Sequence, residues 1–235
     1  MLTMASTNGS AAAHAYYPLG VVIPGYAPNT MDALELVSYF GLGCGAVLVP
    51  TYFLIQSKRP DLRSWEVFAA LWFVLCGFIH TFFEGYFAYN FKDMASKLDL
   101  FGQLWKEYSL SDSRYLTQDS FLVPMESVTA FLWGPISFFI AYAIVTGHPL
   151  RHSLQLIVSV GQIYGDILYY ATCTFTMLMD QKHYCRPENY YFWAYYFLCN
   201  AFWIVIPGAL VFQSIGATKR AFAQLQSLEK VKKGK

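Results

Sequence analysis

The chain has 235 residues, of which 56% are hydrophobic and only 13% are charged, and its mean hydropathy is +0.35. A soluble domain of this size carries about a quarter charged residues, so the composition indicates a membrane protein. The formal charge of +1 provides no basic surface large enough to neutralise a run of phosphates, which excludes a nucleic-acid-binding function.

Five continuously apolar stretches are each long enough to cross a bilayer as a helix, which takes about 20 residues. None contains Lys or Arg, and none shows the short alternating segments of a transmembrane barrel. We therefore predict an all-α membrane protein, a bundle of five transmembrane helices within residues 34–215. The predicted spans are 34–55, 65–90, 121–146, 153–178 and 190–215.

Residues 1–33 come before the first predicted span and contain no Lys or Arg. They also lack the uninterrupted apolar core of a cleavable signal peptide, so we expect a flexible tail. The tripeptide Asn8-Gly9-Ser10 matches the acceptor sequence for N-glycosylation.

The second span carries His80 and Glu84, four residues apart, which places both on one face of a helix. Inserting an ionisable side chain at the bilayer centre costs about 2.5–3.5 kcal/mol of free energy, so such a residue indicates a structural or functional role. For His80 alone, a hydrogen-bonded residue that joins two helices is the default interpretation. The adjacent carboxylate favours general acid-base chemistry instead.

Polar residues also occur in the later spans. Glu126 and Thr129 share one face of the third span, and the helical rise places Glu126 at about the depth of Glu84. Asp166 in the fourth span follows two glycines, and we interpret it as architectural. In the fifth span, Asn200 and Trp203 lie three residues apart near the level of His80, where packing and function remain alternatives.

Every formal charge inside the predicted spans is acidic, and the spans are rich in aromatic residues. Carboxylates and π-faces in hydrocarbon suit a cationic ligand or a transient carbocation. Motifs for serine hydrolysis, nucleotide binding and di-iron chemistry are missing, and the five cysteines show no CxxC spacing. We therefore predict neither a cofactor nor a metal site.

Ten of the 16 Lys and Arg residues follow the first, third and fifth spans. Because cytoplasmic loops carry an excess of Lys and Arg, the N-terminus is predicted to be luminal and the C-terminus cytosolic. Residues 216–235 form a basic cytosolic tail in this topology. The tail ends in Lys232-Lys233-Gly234-Lys235, which resembles the dilysine retrieval signal of endoplasmic-reticulum membrane proteins.

Several strings of residues carry a more specific resemblance. They are Cys76-Gly77-Phe78-Ile79-His80 with Glu84-Gly85, Gln103-Leu104-Trp105-Lys106-Glu107-Tyr108, Asp112-Ser113-Arg114-Tyr115, Met125-Glu126, Leu132-Trp133-Gly134-Pro135, Ser159-Val160-Gly161-Gln162-Ile163-Tyr164-Gly165-Asp166 and Asn200-Ala201-Phe202-Trp203. From about residue 65 to 215 the sequence closely resembles the emopamil-binding proteins, the sterol Δ8,Δ7-isomerase family of the EXPERA group of membrane proteins.

The resemblance implies a five-helix enzyme of the endoplasmic reticulum that moves the C8–C9 double bond of a Δ8-sterol such as zymosterol to C7–C8. It also implies binding of cationic amines and no redox cofactor. The family's catalytic residues correspond to His80, Glu84 and Glu126. Its other functional residues, which bind substrate or stabilise a cation, correspond to Tyr115, Thr129, Asn200 and Trp203.

Two other functions use the same features. A non-catalytic sterol- and amine-binding protein of the same group is the stronger alternative. A proton-coupled transporter would also contain an intramembrane His/Glu pair, but the chain shows no internal repeat. A homodimer is open on the sequence alone.

Overall fold

The computed structural model describes residues 14–233. The predicted glycosylation site at Asn8 and the last two residues of the dilysine-like end lie outside this range. Within it the fold is all-helical, with six main helices and short turns between them. The helices are α1 (Ala33–Lys58), α2 (Ser64–Asn90), α3 (Leu100–Tyr108), α4 (Leu122–Thr146), α5 (Arg151–Asp180) and α6 (Tyr191–Lys233).

Helix α1 begins at a capping box. The Asp32 side chain accepts a hydrogen bond from the Glu35 backbone at 2.9 Å, and the Glu35 side chain accepts one from the Asp32 backbone at 3.0 Å. These two contacts satisfy backbone donors that have no partner within the helix. Along the rest of α1, only Leu36 and Ile55 are buried, so α1 contacts the bundle chiefly at its two ends.

The helix boundaries agree with the predicted spans to within three residues, except at the end of α6. We placed the boundary between bundle and tail after residue 215, but α6 continues without interruption to Lys233. Its last part is rich in Ala, Gln, Leu and Lys, which are strong helix formers. The residues there are exposed. The change from apolar to polar sequence therefore indicates where the helix leaves the membrane, and it does not end the helix.

Four of the described helices are long and apolar enough to cross a membrane by length and composition, namely α1, α2, α4 and α6. The predicted count of five is therefore not confirmed. Helix α5 has 30 residues, but one of its faces is polar and buried against the other helices. This face consists of Gln155, Ser159, Gln162 and Asp166, and its polar side chains lower the mean hydropathy of the helix.

Two apolar clusters form the core, and both receive residues from α2. One cluster surrounds Phe73 and Ile140, and the other surrounds Phe87, Trp105 and Tyr169. His80 and Glu84 lie on α2 between Phe73 and Phe87. The polar residues of the second predicted span are therefore enclosed by apolar packing on both sides along the helix.

A structured cap, formed by residues 14–32 and 91–120, covers one end of the bundle. The side-chain oxygen of Gln103 accepts a hydrogen bond from the Thr30 backbone at 2.7 Å, and Tyr16 is only 4% exposed. Residues 14–32 thus differ from the flexible tail that the sequence predicts. The reason is tertiary, because the aromatic and polar residues of this segment find partners on the loop between α2 and α4.

Helices α2 and α4 approach each other closely at Gly134. A Cβ atom at this position would overlap the Thr81 side chain and lie 3.0 Å from the Thr81 backbone nitrogen. We expect Gly134→Ala to destabilise the fold by about 1–3 kcal/mol, because the two backbones must move apart to accommodate the methyl group. Thermal unfolding in neutral detergent measures the effect.

Gly208→Ala is the matched control, because an added Cβ on Gly208 meets no atom within 4 Å. Alanine is also the better helix former, so this variant should unfold at the wild-type temperature or slightly above it. Equal unfolding temperatures for the Gly134→Ala variant and the wild type would contradict the close approach.

Candidate functional site

The central site lies where two π-helical segments meet. Residues Ile79–Glu84 of α2 and Thr129–Trp133 of α4 each form such a segment, and the two segments pack against each other. A π-helical turn inside an α-helix widens the backbone, and such turns occur frequently at functional sites. Here they place His80 and Glu84 opposite α4.

His80 has a partner on each of its two ring nitrogens. Nδ1 lies 2.8 Å from Oε2 of Glu84, and Nε2 lies 2.9 Å from the amide nitrogen of Gln162 on α5. Both His80 and Glu84 are buried. The predicted contact between His80 and Glu84 is confirmed, and the imidazole joins α2 to α5 through Gln162.

Glu126 of α4 completes a pair of carboxyl groups with Glu84. The start of α4, which carries Glu126, packs against the π-helical segment that carries Glu84, and Glu126 is 5% exposed. The Tyr115 hydroxyl donates a hydrogen bond to Oε1 of Glu126 at 3.0 Å. Burial raises the pKa of the Tyr115 phenol well above its usual value, so Tyr115 stays protonated and available as a donor.

Trp203 of α6 lies against the imidazole. Its ring centre is 5.3 Å from that of His80 and 4.7 Å from that of Trp72 on α2. The indole therefore packs between the imidazole of the site and the Trp72 ring. Sequence reasoning placed Trp203 near the level of His80, and the structure brings the two rings into contact.

Asn200 and Thr129 have partners outside the carboxyl pair. The Asn200 amide donates to the Tyr196 carbonyl at 2.6 Å and to the Tyr108 hydroxyl oxygen at 3.0 Å. The Thr129 hydroxyl donates to the Met125 carbonyl of its own helix at 2.9 Å. Among the described residues, Asn200 thus contacts neither the carboxyl groups nor the imidazole of the site.

Two polar residues of α5 stand beside the site. Gln162 contacts His80 directly, and Asp166 lies one helical turn further along the same buried face. Oδ2 of Asp166 is buried and has no hydrogen-bond partner among residues 14–233. Gln162 was missing from the predicted site residues, although an uncharged amide in the middle of an apolar span is itself a signal of an interhelical hydrogen bond.

An ion pair fixes the cap next to Tyr115. Arg114 donates from Nη2 to Oδ2 of Asp112 at 2.6 Å, and Asp112 is fully buried. The Arg114 guanidinium also lies 5.2 Å from the ring centre of Tyr169 on α5 and donates to Thr172 at 2.9 Å. These contacts attach the segment that carries Tyr115 to α5 and so determine where its hydroxyl points.

Comparison with known proteins gives consistent matches over most of the chain. The family model described as EXPERA (EXPanded EBP superfamily) matches residues 100–214. The 3-beta-hydroxysteroid-Delta(8),Delta(7)-isomerase of Rattus norvegicus is 40% identical over 219 residues, which are 91% of this chain and 92% of the rat protein. The enzyme of the same name from Cavia porcellus is 36% identical over 212 residues, which are 89% of this chain and 91% of that protein.

A more distant relative has a different printed name. The isomeliandiol synthase of Melia azedarach is 33% identical over 178 residues, which are 74% of this chain and 80% of that protein. The matches thus include proteins whose names give different products.

The buried ion pair in the cap makes a testable contribution to stability. We expect Arg114→Met to destabilise the protein by about 3–5 kcal/mol, because it leaves the Asp112 carboxylate buried without its charged partner. The unfolding temperature of the purified chain in detergent measures the loss.

Glu188→Gln serves as the control, because Glu188 forms an ion pair with Arg186 at a half-exposed position. Ion pairs exposed to water contribute little, so this variant should unfold at the wild-type temperature. If the two variants unfold alike, the Arg114–Asp112 pair does not hold the cap.

Proposed function

The chain belongs to the 3β-hydroxysteroid Δ8,Δ7-isomerase family of the EXPERA superfamily, and we propose that it moves a sterol double bond from C8–C9 to C7–C8. The observation that carries this proposal is that two buried carboxyl groups, Glu84 and Glu126, lie on segments that pack together, with His80 bonded to Glu84 and Trp203 against the His80 ring. A double-bond shift of this kind requires one proton donor and one proton acceptor, and it requires no net change in oxidation state.

Both halves of the reaction are acid-base steps. A proton is added to C9, the electron pair of the C8–C9 double bond forms the new C9–H bond, and a positive charge is left on C8. Loss of a proton from C7 then returns an electron pair and forms the C7–C8 double bond. The two steps need one group that gives a proton and one that takes it up, and the site offers two buried carboxyl groups, Glu84 and Glu126.

We assign the donor role to Glu84, supported by His80, and the acceptor role to Glu126. Because both nitrogens of His80 have protein partners, the imidazole acts through Glu84. The Gln162 amide can donate to a neutral imidazole, and after rotation it can accept from a protonated one. Gln162 therefore supports both protonation states of His80. The Tyr115 hydroxyl positions the carboxyl group of Glu126.

The surroundings favour a cation at C8. The Trp203 ring offers a π-face at one side of the site, and aromatic faces attract positive charge. Preorganised negative groups in a site without water stabilise such a charge more than water does. A protonated amine carries the same charge, so we also propose that cationic amines bind between the carboxyl groups. Asn200 joins α6 to Tyr108 on α3, whereas Thr129 makes its hydrogen bond within α4.

The membrane placement follows from the same helices. We propose that α5 is the fifth transmembrane helix, because exposed apolar residues such as Ile157, Tyr164 and Phe175 cover the face opposite its polar one. The distribution of Lys and Arg supports a luminal cap and a cytosolic end of α6. Together with the lysines at that end, this topology supports location in the endoplasmic reticulum.

Isomerisation in deuterium oxide tests the function. Membranes containing the chain should convert a Δ8-sterol into the Δ7-sterol with one deuterium at C9, because the proton on the carboxyl groups comes from solvent. Mass spectrometry and NMR of the product locate the label. Unchanged sterol together with saturable amine binding would show that the protein is a binding protein and would overturn the proposal.

Glu126→Gln tests the acceptor. The amide has nearly the same shape but cannot take up the proton from C7, so we expect kcat to fall by at least about 100-fold. Glu229→Gln, on the exposed part of α6, is the control and should keep wild-type activity. Near-normal turnover by the Glu126→Gln variant would remove Glu126 from the mechanism.

Gln162→Met tests the support of His80. It leaves Nε2 of the imidazole without its partner, and we expect kcat to fall about tenfold with KM nearly unchanged. Gln162→Glu keeps a polar partner within reach of His80 and should retain more activity than the Met variant. A rise in KM at constant kcat would instead indicate that Gln162 contacts the sterol.

A further inference from the structure

A polar cavity lies at the end of the bundle opposite the cap. It has a volume of about 230 Å³ and is lined by the first turns of α2 and α5 and by the middle of α6. The residues that contribute charge or hydrogen bonds are Arg63, Glu66, Arg151, His152, Gln213 and Arg220. None of them contacts His80 or the two carboxyl groups of the central site, so this cavity has no part in the isomerisation.

The charge of the cavity is positive. Glu66 is its only acidic lining residue, and both of its oxygens are engaged, one by Arg151 at 2.7 Å and the other by Arg63 at 3.2 Å. Three guanidinium groups against one carboxylate leave a net charge of about +2 at neutral pH. This excess of positive charge attracts an anion, and several guanidinium groups favour an anion with more than one oxygen.

Some hydrogen-bond donors of the cavity have no protein partner. Nε of Arg151 is buried and has no partner within residues 14–233. The Arg220 guanidinium makes no hydrogen bond or ion pair to any residue in that range. Guanidinium groups present their donors in a planar fork that matches the oxygens of phosphate. The buried Nε of Arg151 thus lacks a partner, and the exposed Arg220 guanidinium is free to turn its donors to a bound anion.

Backbone donors add to the positive field. The first turns of α2 and α5 both line the cavity, and the N-cap of α5, Leu150, has no side chain that caps its first turn. The positive ends of two helix dipoles thus lie at one cavity, which favours a bound anion.

The position of the cavity relates it to the membrane surface. Trp65 lines it and stacks on Phe68 at 5.4 Å between ring centres, and both rings are 41% exposed. Exposed aromatic side chains at the end of a transmembrane helix occupy the boundary between headgroups and hydrocarbon. Acyl chains beside these rings would bring a lipid phosphate to the depth of the three arginines.

We propose that this cavity binds the phosphate group of an anionic phospholipid. Basic pockets between transmembrane helices on the cytosolic side bind anionic headgroups in other membrane proteins. The lipid joins α2, α5 and α6 at the end of the bundle away from the cap. This binding is independent of the proposed isomerase activity, and its measurement requires no turnover.

The full chain in neutral detergent allows the test, because no charged membrane surface is present to attract lipid. Dioctanoyl phosphatidylinositol is titrated into the protein, and the bound lipid is measured by native mass spectrometry and calorimetry. We expect saturable binding of one lipid per chain. Arg220→Gln should weaken it about fivefold. Arg220 is exposed and makes no ion pair within the described residues, so its loss should not disturb folding.

Lys219→Gln is the matched control. It removes the same charge from the adjacent, exposed residue, which does not line the cavity, and it should change the affinity less than twofold. An equal loss in both variants would show non-specific attraction and overturn the proposal. Equal affinity for dioctanoyl phosphatidylcholine, absence of saturation, or inorganic phosphate binding as tightly as the lipid would each overturn it as well.

Discussion

An ionisable side chain in hydrocarbon is stable only when another polar group satisfies it, and the central site follows this constraint. His80 is held between Glu84 and Gln162, and Glu126 accepts a hydrogen bond from Tyr115. Each of these contacts joins different parts of the chain or closes a turn of α2. The groups suited to proton transfer are therefore also groups that determine how α2, α4, α5 and the cap are arranged.

The same constraint explains the amphipathic character of α5. Its polar face is turned inward, where Gln155 donates to α6 and Gln162 contacts α2, while its apolar face is exposed. Most soluble helices show the reverse arrangement. A helix of this kind scores poorly in a hydropathy scan, yet it supplies most of the interhelical hydrogen bonds of the bundle. Pairing on this helix is incomplete, because buried oxygens of Ser159, Asp166 and Tyr169 have no hydrogen-bond partner within residues 14–233.

Close backbone contact gives the site its rigidity. Gly134 lets α4 lie against Thr81, and the π-helical segments on both helices fall at this point of contact. The wider turn of α2 carries His80 and Glu84, and Glu126 lies just before the wider turn of α4. The cap contributes Tyr115 from outside the bundle, held by the buried Arg114–Asp112 pair. Both the helices and the cap that covers them thus hold the side chains of the central site in place.

The sequence alone determined the five long apolar helices, apart from the end of α6, and most of the central residues, but it did not indicate α3. Helix limits follow from uninterrupted apolar runs and from the positions of Lys and Arg, which depend only on local composition. The contact between His80 and Glu84 also follows from local spacing, because residues four apart share a helix face. These features could be derived without any knowledge of how the helices pack.

Only the tertiary structure decided which residues meet across helices. The partner of His80 on α5, the Tyr108 and Tyr196 contacts of Asn200 and the packing of residues 14–32 all depend on the relative rotation and depth of separate segments. The basic cavity likewise gathers arginines from α2, α5 and α6 that are far apart in the sequence. Hydropathy and periodicity describe one helix at a time, so they contain no information on these pairings.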